Sequence, residues 1–585
     1  MRTENKSIST NLFSWLSVLL LGVLLFVGYF HTISAITQDL GRHILTGNII
    51  LENKVIPSIN LFSYTHPSFP FINHHYLPEI IFAVIYNHFS YNGLMILSLL
   101  LVFTASLLVF KTSQKNAHTL AVIFSSALFL RILFERTDIR PELFSFLFLS
   151  IFVFILFKNY AKKTNLLFVL PFISVLWVNS HIYFPIGIGI LGLFFIDNLI
   201  KTKGDVSNKK NVSLFLTLIL CLIATLLNPH FLQGAFYPFT VFSNYGYTIE
   251  ENQTPFFLSS LGFYKSSFTY LLLALASLII CMIISFKKIR LIDILLIISF
   301  TMISFAAVRN FPLFVFAILP TFSYLLTQTI VKIISLFPQL HLKKLPLYSL
   351  RLLILLILLF QILHISSLKT LEAKPDTGAT PGVNFFIQNK LEGPLFNNFD
   401  IGSYLIFRLY PKEKVFIDGR PEAYPADFIQ EVYIPLQEDP ELFKTYDKKY
   451  AFNTIFFSHT DMTPWAQKFL QDITQNPSWK TVYLDPYVII LVKDVKENAA
   501  IIKRFAQPHD NLRMTSLHNG EKKDILRALN FFVLTADVQN QVHLVEKLLA
   551  IDPQNCDALQ FLAQYNATSS SFFNMYEKRY REDCL

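Results

Sequence analysis

The sequence predicts a polytopic α-helical membrane protein that holds an α/β domain and a helical tail on one side of the bilayer. Three observations carry this. Hydrophobic residues make up 53% of the 585 and charged residues only 15%, against roughly a quarter charged in soluble globular proteins. Apolar runs recur along residues 1–367, many close to the ~20 residues needed to cross a ~30 Å hydrocarbon core. The basic residues between these runs gather in every second short loop.

The runs give eleven spans, near 12–34, 93–110, 119–134, 143–157, 165–178, 183–200, 212–227, 268–285, 291–308, 311–331 and 352–367. The first is too long for the apolar core of a signal peptide and has no small-residue cleavage site after it, so it reads as an anchor. The pair 165–178 and 183–200 is short enough to leave two readings open, two spans or one broken, re-entrant pair. The basic loops carry Lys111 and Lys115; Lys158, Lys162 and Lys163; Lys201, Lys203, Lys209 and Lys210; Lys287, Lys288 and Arg290; and Lys343, Lys344 and Arg351. Positive loops stay in the cytoplasm. The alternation places the N-terminus inside and residues 368–585 outside, and it assigns the net charge of +9 to topology rather than to nucleic acid.

Beyond the membrane part (1–367), residues 368–382, "LKTLEAKPDTGATPG", read as a linker rich in Pro, Gly and Thr. Residues 383–495 read as an α/β domain. In it "GPLFNNF", "EKVFIDGR" and "FNTIFFSH" are strands, "IGSYLIFRLY" is a helix, and "WKTVYLDPYVIILVKD" is a hairpin turning at Asp485-Pro486. Residues 496–585 form a helical tail, a place for a protein partner, in which "VEKLLAIDPQNCDALQFLAQYN" resembles one junction of a tetratricopeptide repeat. Stable stacks of that kind need about three repeats. Cys221 and Cys281 lie in spans, while Cys556 and Cys584 are either a disulfide in an oxidising exterior or two free thiols. No pair has metal-ligand spacing.

Two outside loops are long, about 35–92 and 228–267, in a chain whose other connections are short; such loops tend to be functional. The first opens with "DLGRHILTGNII", where Leu40, Ile44 and Leu45 recur at helical spacing, as in a short helix on the membrane surface. Asp39 stands at its start. There it is either an N-cap favoured by the helix dipole or a chemical group. The other outside charges sit in "ERTDIRPE" (135–142, with Arg140 and Glu142), "NSHIYF" (179–184, with His181), "LNPHF" (227–231, with Asn228) and "RNF" (Arg309). Charges near bilayer depth cost roughly 2.5–3.5 kcal/mol each on insertion scales and usually serve function, although single ones can be interface anchors. A cavity lined by arginines, histidines and carboxylates suits an anionic, lipid-linked substrate, because arginine binds phosphate as a planar fork and a carboxylate can accept a hydroxyl proton.

These residues carry a resemblance. An acid just after the first span, on a surface helix in a large first outside loop, resembles the GT-C superfamily of polytopic glycosyltransferases, which includes protein O-mannosyltransferases and aminoarabinose transferase-like enzymes. The chain is most similar to an uncharacterised bacterial branch, through Asp39, His43 and Gly47, then Ile56-Pro57, then "FSYT" at 62–65, and through "RPELFSF", "LWVNSH", "LNP" and "FIDGRPEAY". The likeness covers about 35–495. Many members carry two adjacent acids where this chain has Gln38-Asp39.

The resemblance implies sugar transfer from a polyprenyl-phosphate donor to a glycan, lipid or protein acceptor at the outer face of a bacterial plasma membrane. Asp39 would be the general base or one ligand of a divalent cation, Mg or Mn. Arg42, His43, Arg140 and Arg309 would meet the donor phosphate, and His74, His75, Glu142, His181, Asn228, Asp400, Asp418 and Arg420 the rest of the substrates. His74 and His75 are neighbours on a surface element, where adjacent side chains are expected to diverge. Asp418-Gly419-Arg420 reads equally as a turn with a structural ion pair. A lipid or glycan transporter and a non-catalytic envelope assembly protein are the competing classes; the absence of an internal repeat and the clustering of charge at one face weigh against the first.

Overall fold

The structure, a computed structural model, describes residues 2–33, 39–161, 165–241, 245–336, 345–375, 377–515, 521–565 and 570–584. Gln38, Lys162, Lys163, Lys343, Lys344 and Asp376 of the linker lie outside the described residues. In the membrane part the helices are α1 (Arg2–Tyr29), α2 (Leu40–Asn53), α3 (Tyr76–Gln114), α4 (Thr119–Leu133), α5 (Glu142–Ala161), α6 (Val169–Val178), α7 (Phe184–Lys201), α8 (Lys209–Ala224), α9 (Phe231–Thr240), α10 (Pro255–Ser260), α11 (Lys265–Ile284), α12 (Leu291–Ala306), α13 (Phe311–Leu336) and α14 (Leu345–Leu368). Each of the eleven predicted spans falls on one of α1, α3 to α8 and α11 to α14. Among the described residues, six helical stretches are long and apolar enough to cross a membrane.

The first loop contains helix of its own before the second span begins. Polar residues such as Glu79, Asn87 and His88 interrupt the apolar pattern, yet α3 already begins at Tyr76 and runs 39 residues through a kink at Ser90 (φ 53, ψ −152). The kink makes it two helices: residues 91–114, about 36 Å at 1.5 Å per residue, are long enough to cross a ~30 Å core, and residues 76–89 belong to the first loop. There α2 packs on it. Gly47 permits this approach, because a Cβ at that position would meet the Glu79 carbonyl oxygen at 2.0 Å.

The C-terminal part continues with α15 (Thr380–Gln388), β1 (Leu395–Phe396), α16 (Phe399–Leu409), α17 (Pro435–Glu438), α18 (Pro440–Tyr450), β2 (Thr454–Ser458), α19 (Pro464–Ile473), β3 (Trp479–Leu484) and β4 (Val488–Lys493). The sheet order is β1-β2-β4-β3, with β1 parallel to β2 and the other pairs antiparallel. The predicted hairpin is present. Asp485 closes it, its carboxylate accepting the Tyr487 and Val488 N–H groups at 2.8 Å.

"EKVFIDGR" is not a strand of this sheet. It makes a single bridge, Val415 with Ser63. Its backbone groups are satisfied instead by Asn397, which accepts from Phe416 N and donates to the Ile417 carbonyl, and by the first loop, whose Phe62 carbonyl accepts from Val415 N. The apolar alternation reflected burial between two layers rather than a ladder. The consequence matters for the site, because this segment straps the first loop to the α/β domain.

The tail comprises α20 (Ala499–Phe505), α21 (Lys522–Leu534), α22 (Val538–Ile551), α23 (Cys556–Tyr565) and α24 (Ser570–Cys584). Its Phe531, Leu544 and Leu559 share one apolar core with Phe396, Phe443 and Leu491 of the domain. A Cys556–Cys584 disulfide joins α23 to α24, which settles the alternative left open by the sequence.

Candidate active site

Asp39 occupies the N-cap position of α2, but its side chain makes no cap hydrogen bond. The capping interpretation therefore fails. The carboxylate instead accepts a hydrogen bond from Ser403 Oγ of α16 at 3.0 Å and lies 3.3 Å from Arg42, with its side chain 30% exposed. Burial alone would raise its pKa, but Arg42, Arg140 and His43, with the Ser403 hydrogen bond, hold it below the usual carboxylate value. Asp39 is thus an ionised group that links the first loop to the α/β domain.

One turn along α2, His43 Nδ1 lies 2.9 Å from Glu79, and Asn73 donates to the second oxygen of Glu79 at 2.6 Å. A carboxylate accepts only, so Nδ1 carries the proton and a neutral His43 presents a bare Nε2. From His43 a row of rings runs across the site. His75 lies 5.4 Å from His43 and 3.8 Å from His74, and His181 lies 5.4 Å from His75. The adjacent His74 and His75 therefore converge, contrary to the expectation from sequence, because they sit in the turn entering α3 and not on a regular surface helix. Burial is the largest cause lowering all four: His43 falls below its usual value, His74 falls to about 4, and His75 and His181 fall well below it. The row is neutral at pH 7.

Facing it is a group of three arginines and two carboxylates. Arg136 donates to Glu142 at 2.8 Å and also to Glu251. Arg140 donates to both oxygens of Glu251, at 3.2 and 3.0 Å. Arg309 donates to the Tyr183 hydroxyl at 3.0 Å and to Asn252 at 2.9 Å, and stands 3.7 Å from Glu251. Burial would raise the Glu251 carboxyl, yet Arg140, Arg136 and Arg309 hold it well below the ordinary range.

Asp39, Arg42, His43, His74, His75, Arg140, Glu142, His181, Arg309 and Arg420 all line one narrow cleft of about 90 Å³, between the span ends and the α/β domain. An apolar cavity of about 220 Å³ also lies among α1, α3, α4 and α13, with no ionisable group for chemistry.

Three of the expected residues do other work. Asn228 donates to the Thr225 and Phe231 carbonyls at 2.8 Å and accepts from His230 N; it shapes a turn and is not part of the cleft. Asp400 lies exposed in the first turn of α16, away from the cleft lining. Asp418 is fully buried and takes two hydrogen bonds from Arg420 (2.6 and 2.8 Å) and one from Tyr424 (2.7 Å), the structural pair of the alternative interpretation. Arg420 also donates to Asn60 of the first loop at 2.9 Å, so the pair supports the cleft wall.

Sequence reasoning missed Glu251, Glu79, Arg136 and Glu422. Glu251 was visible only as one acid of the pair Glu250-Glu251 in the second long loop, and Glu79 as an acid in the first turn of a helix. Glu422 lines the cleft, and burial pushes its carboxyl up to about 6. Among the described residues, no group of three or more His, Cys, Asp or Glu side chains is placed to hold a metal ion. Asp39 is engaged by Arg42 and Ser403, and Glu142 and Glu251 by arginines, so these donors do not fit a Mg or Mn ion as they stand.

No protein-family model matches the chain, and no curated protein matches it significantly in sequence. Solved structures do match. They share this chain's fold, the fold that the resemblance of the first loop implied. Two neighbours are structures of the oligosaccharyltransferase AglB from Archaeoglobus fulgidus. One, in complex with an inhibitory peptide and a dolichol-phosphate, is 10% identical over 79% of this chain and 71% of its own, with a TM-score of 0.53. The other, tethered with an acceptor peptide, is 11% identical over 83% and 74%, with a TM-score of 0.54. A third is ArnT from Cupriavidus metallidurans bound to undecaprenyl phosphate, 12% identical over 85% of this chain and 99% of its own, with a TM-score of 0.51.

Proposed function

We propose that the protein transfers a sugar from a polyprenyl-phosphate donor to an acceptor at the outer face of the plasma membrane. The observation that carries this is the convergence of an ionised carboxylate, Asp39, with Arg42, Arg140 and Arg309 on one cleft at the ends of the spans. Neighbours of the same fold were solved with dolichol-phosphate and with undecaprenyl phosphate, which supports a lipid phosphate as the anionic ligand. Asp39 takes the proton of the acceptor hydroxyl as that oxygen attacks the anomeric carbon. The bond to the donor phosphate breaks with its electron pair going to phosphate, where Arg140 and Arg309 meet the growing negative charge, with Arg136 holding Glu142 and Glu251 behind them. Attack opposite the leaving group inverts the sugar.

The transporter alternative places substrate near the bilayer midplane, whereas the charged groups here sit at the span ends. The test is a reconstitution of the full chain with radiolabelled polyprenyl-phosphate sugar and membrane-extract acceptors. Label leaving the lipid and appearing on an acceptor supports transfer; label that crosses the bilayer still attached to lipid replaces this reading by transport. Within the assay, Asp39→Asn keeps the shape of the side chain and removes its basicity. Turnover is expected to fall by about 10²–10⁴-fold with donor binding retained, and an unchanged rate would remove Asp39 from the chemistry.

A further inference from the structure

The second long loop has a feature that the transfer chemistry does not use. Helix α9, Phe231–Thr240, has no buried residue and no charged one. Leu232, Phe236 and Phe239 fall at i, i+4 and i+7, one face of the helix, and all three are exposed, Phe239 by 71%. The half-buried Tyr237 and Pro238 lie on the other side, where Tyr237 packs 5.1 Å from the His74 ring. A water-facing helix shows the opposite arrangement, with its polar residues outward.

We propose that α9 is embedded in the lipid leaflet on the cleft side, with Leu232, Phe236 and Phe239 among the acyl chains. The apolar face continues that of the preceding span, whose Leu216, Leu220 and Ile223 are exposed toward lipid, through the exposed Leu227. The turn between the two helices is fixed. Asn228 holds the Thr225 and Phe231 carbonyls, and Gly234 lets the helix close on it, since a Cβ there would meet Asn228 Oδ1 at 2.0 Å. Ten residues rise about 15 Å, half a bilayer core, so α9 does not span. Contact with lipid rests on apolar area alone, because α9 offers no charge to a headgroup. Beyond it, α10 is followed by the exposed Leu261 and Phe263. The cleft-lining Tyr245, Ile249 and Glu251 lie in the chain between α9 and α10.

The test uses the full chain in lipid nanodiscs and needs no donor, so its outcome is separate from that of the transfer assay. Nitroxide labels are placed by Phe236→Cys and Phe239→Cys, with Leu220→Cys as the span reference and Glu441→Cys as the aqueous reference. The expected result is collision with oxygen exceeding that with a water-soluble nickel complex at 236 and 239, as at 220, in both phosphatidylcholine and phosphatidylglycerol discs. Nickel accessibility like that at 441 overturns the proposal. In the unsubstituted protein, a phospholipid with a photoreactive acyl chain is expected to leave adducts within residues 231–240. Adducts confined to the spans overturn it as well.

Discussion

Arg140 meets Glu251 through one guanidinium nitrogen, 3.0 and 3.2 Å from the two carboxylate oxygens, a geometry that matches a phosphate edge as well as a carboxylate. Lysine keeps the charge but loses the planar fork. Arg140→Lys is therefore expected to weaken polyprenyl-phosphate binding by about tenfold, the scale of one lost charge-assisted hydrogen bond; unchanged binding would make Arg140 an anchor of the span end. His74 gives a pH dependence. Its folded pKa of about 4 lies below the ~6.5 of an unfolded histidine, so its contribution to stability is complete above pH 6.5. As the pH falls from 6.5 toward 4, the unfolded chain takes up a proton that the folded chain refuses, and stability drops. His74→Gln is expected to lose less Tm than the unsubstituted protein over that interval, measured by thermal unfolding in detergent. Asp39, Arg140 and Arg309 were legible because charges beside apolar runs are costly and stand out. Glu251 was not, because an acid in a long loop looks solvated until the fold sets three arginines around it.

At the scale of elements, the helices were read well and one strand was not. Apolar runs of span length leave little choice but helix in a membrane, and the hairpin at Asp485 carries its own turn chemistry. "EKVFIDGR" has the alternation of a strand, but its hydrogen-bonding partners are the Asn397 side chain and the first loop, distant in sequence and invisible to local pattern. The same distance hid the outcome for Asp418 and Asp400, two acids of similar sequence standing. Asp418 is fully buried between Arg420 and Tyr424, so Asp418→Asn leaves Arg420 without its counter-charge and is expected to cost about 3–5 kcal/mol. Asp400→Asn removes a charge disfavoured by desolvation, Asp461 and Glu250, which push its carboxyl up to about 7, and is expected to hold or slightly raise stability. Thermal unfolding of the two variants side by side separates them, and equal losses would mean that the buried pair does not hold the strap.

For the whole molecule, the proposed chemistry stands or falls with which side of the membrane the cleft faces. The basic-loop pattern predicts Lys209 inside, and Ser58 of the first loop and Lys374 after the last span outside, on the side of the cleft. All three positions are exposed, so reactivity there reports the side of the membrane and not burial. Background from native thiols is low, because Cys221 and Cys281 are buried and Cys556 is bonded to Cys584. In intact cells, Ser58→Cys and Lys374→Cys are expected to react with a membrane-impermeant maleimide, and Lys209→Cys only after permeabilisation. The cleft is built jointly by the first loop and the α/β domain, through Asp39 with Ser403 and Asn60 with Arg420, so Ser58 and Lys374 must report the same side. Labelling on opposite sides would break the fold's own connectivity. Labelling of both from the inside would keep the fold and place the arginines and Asp39 in the cytoplasm, leaving no transfer at the outer face.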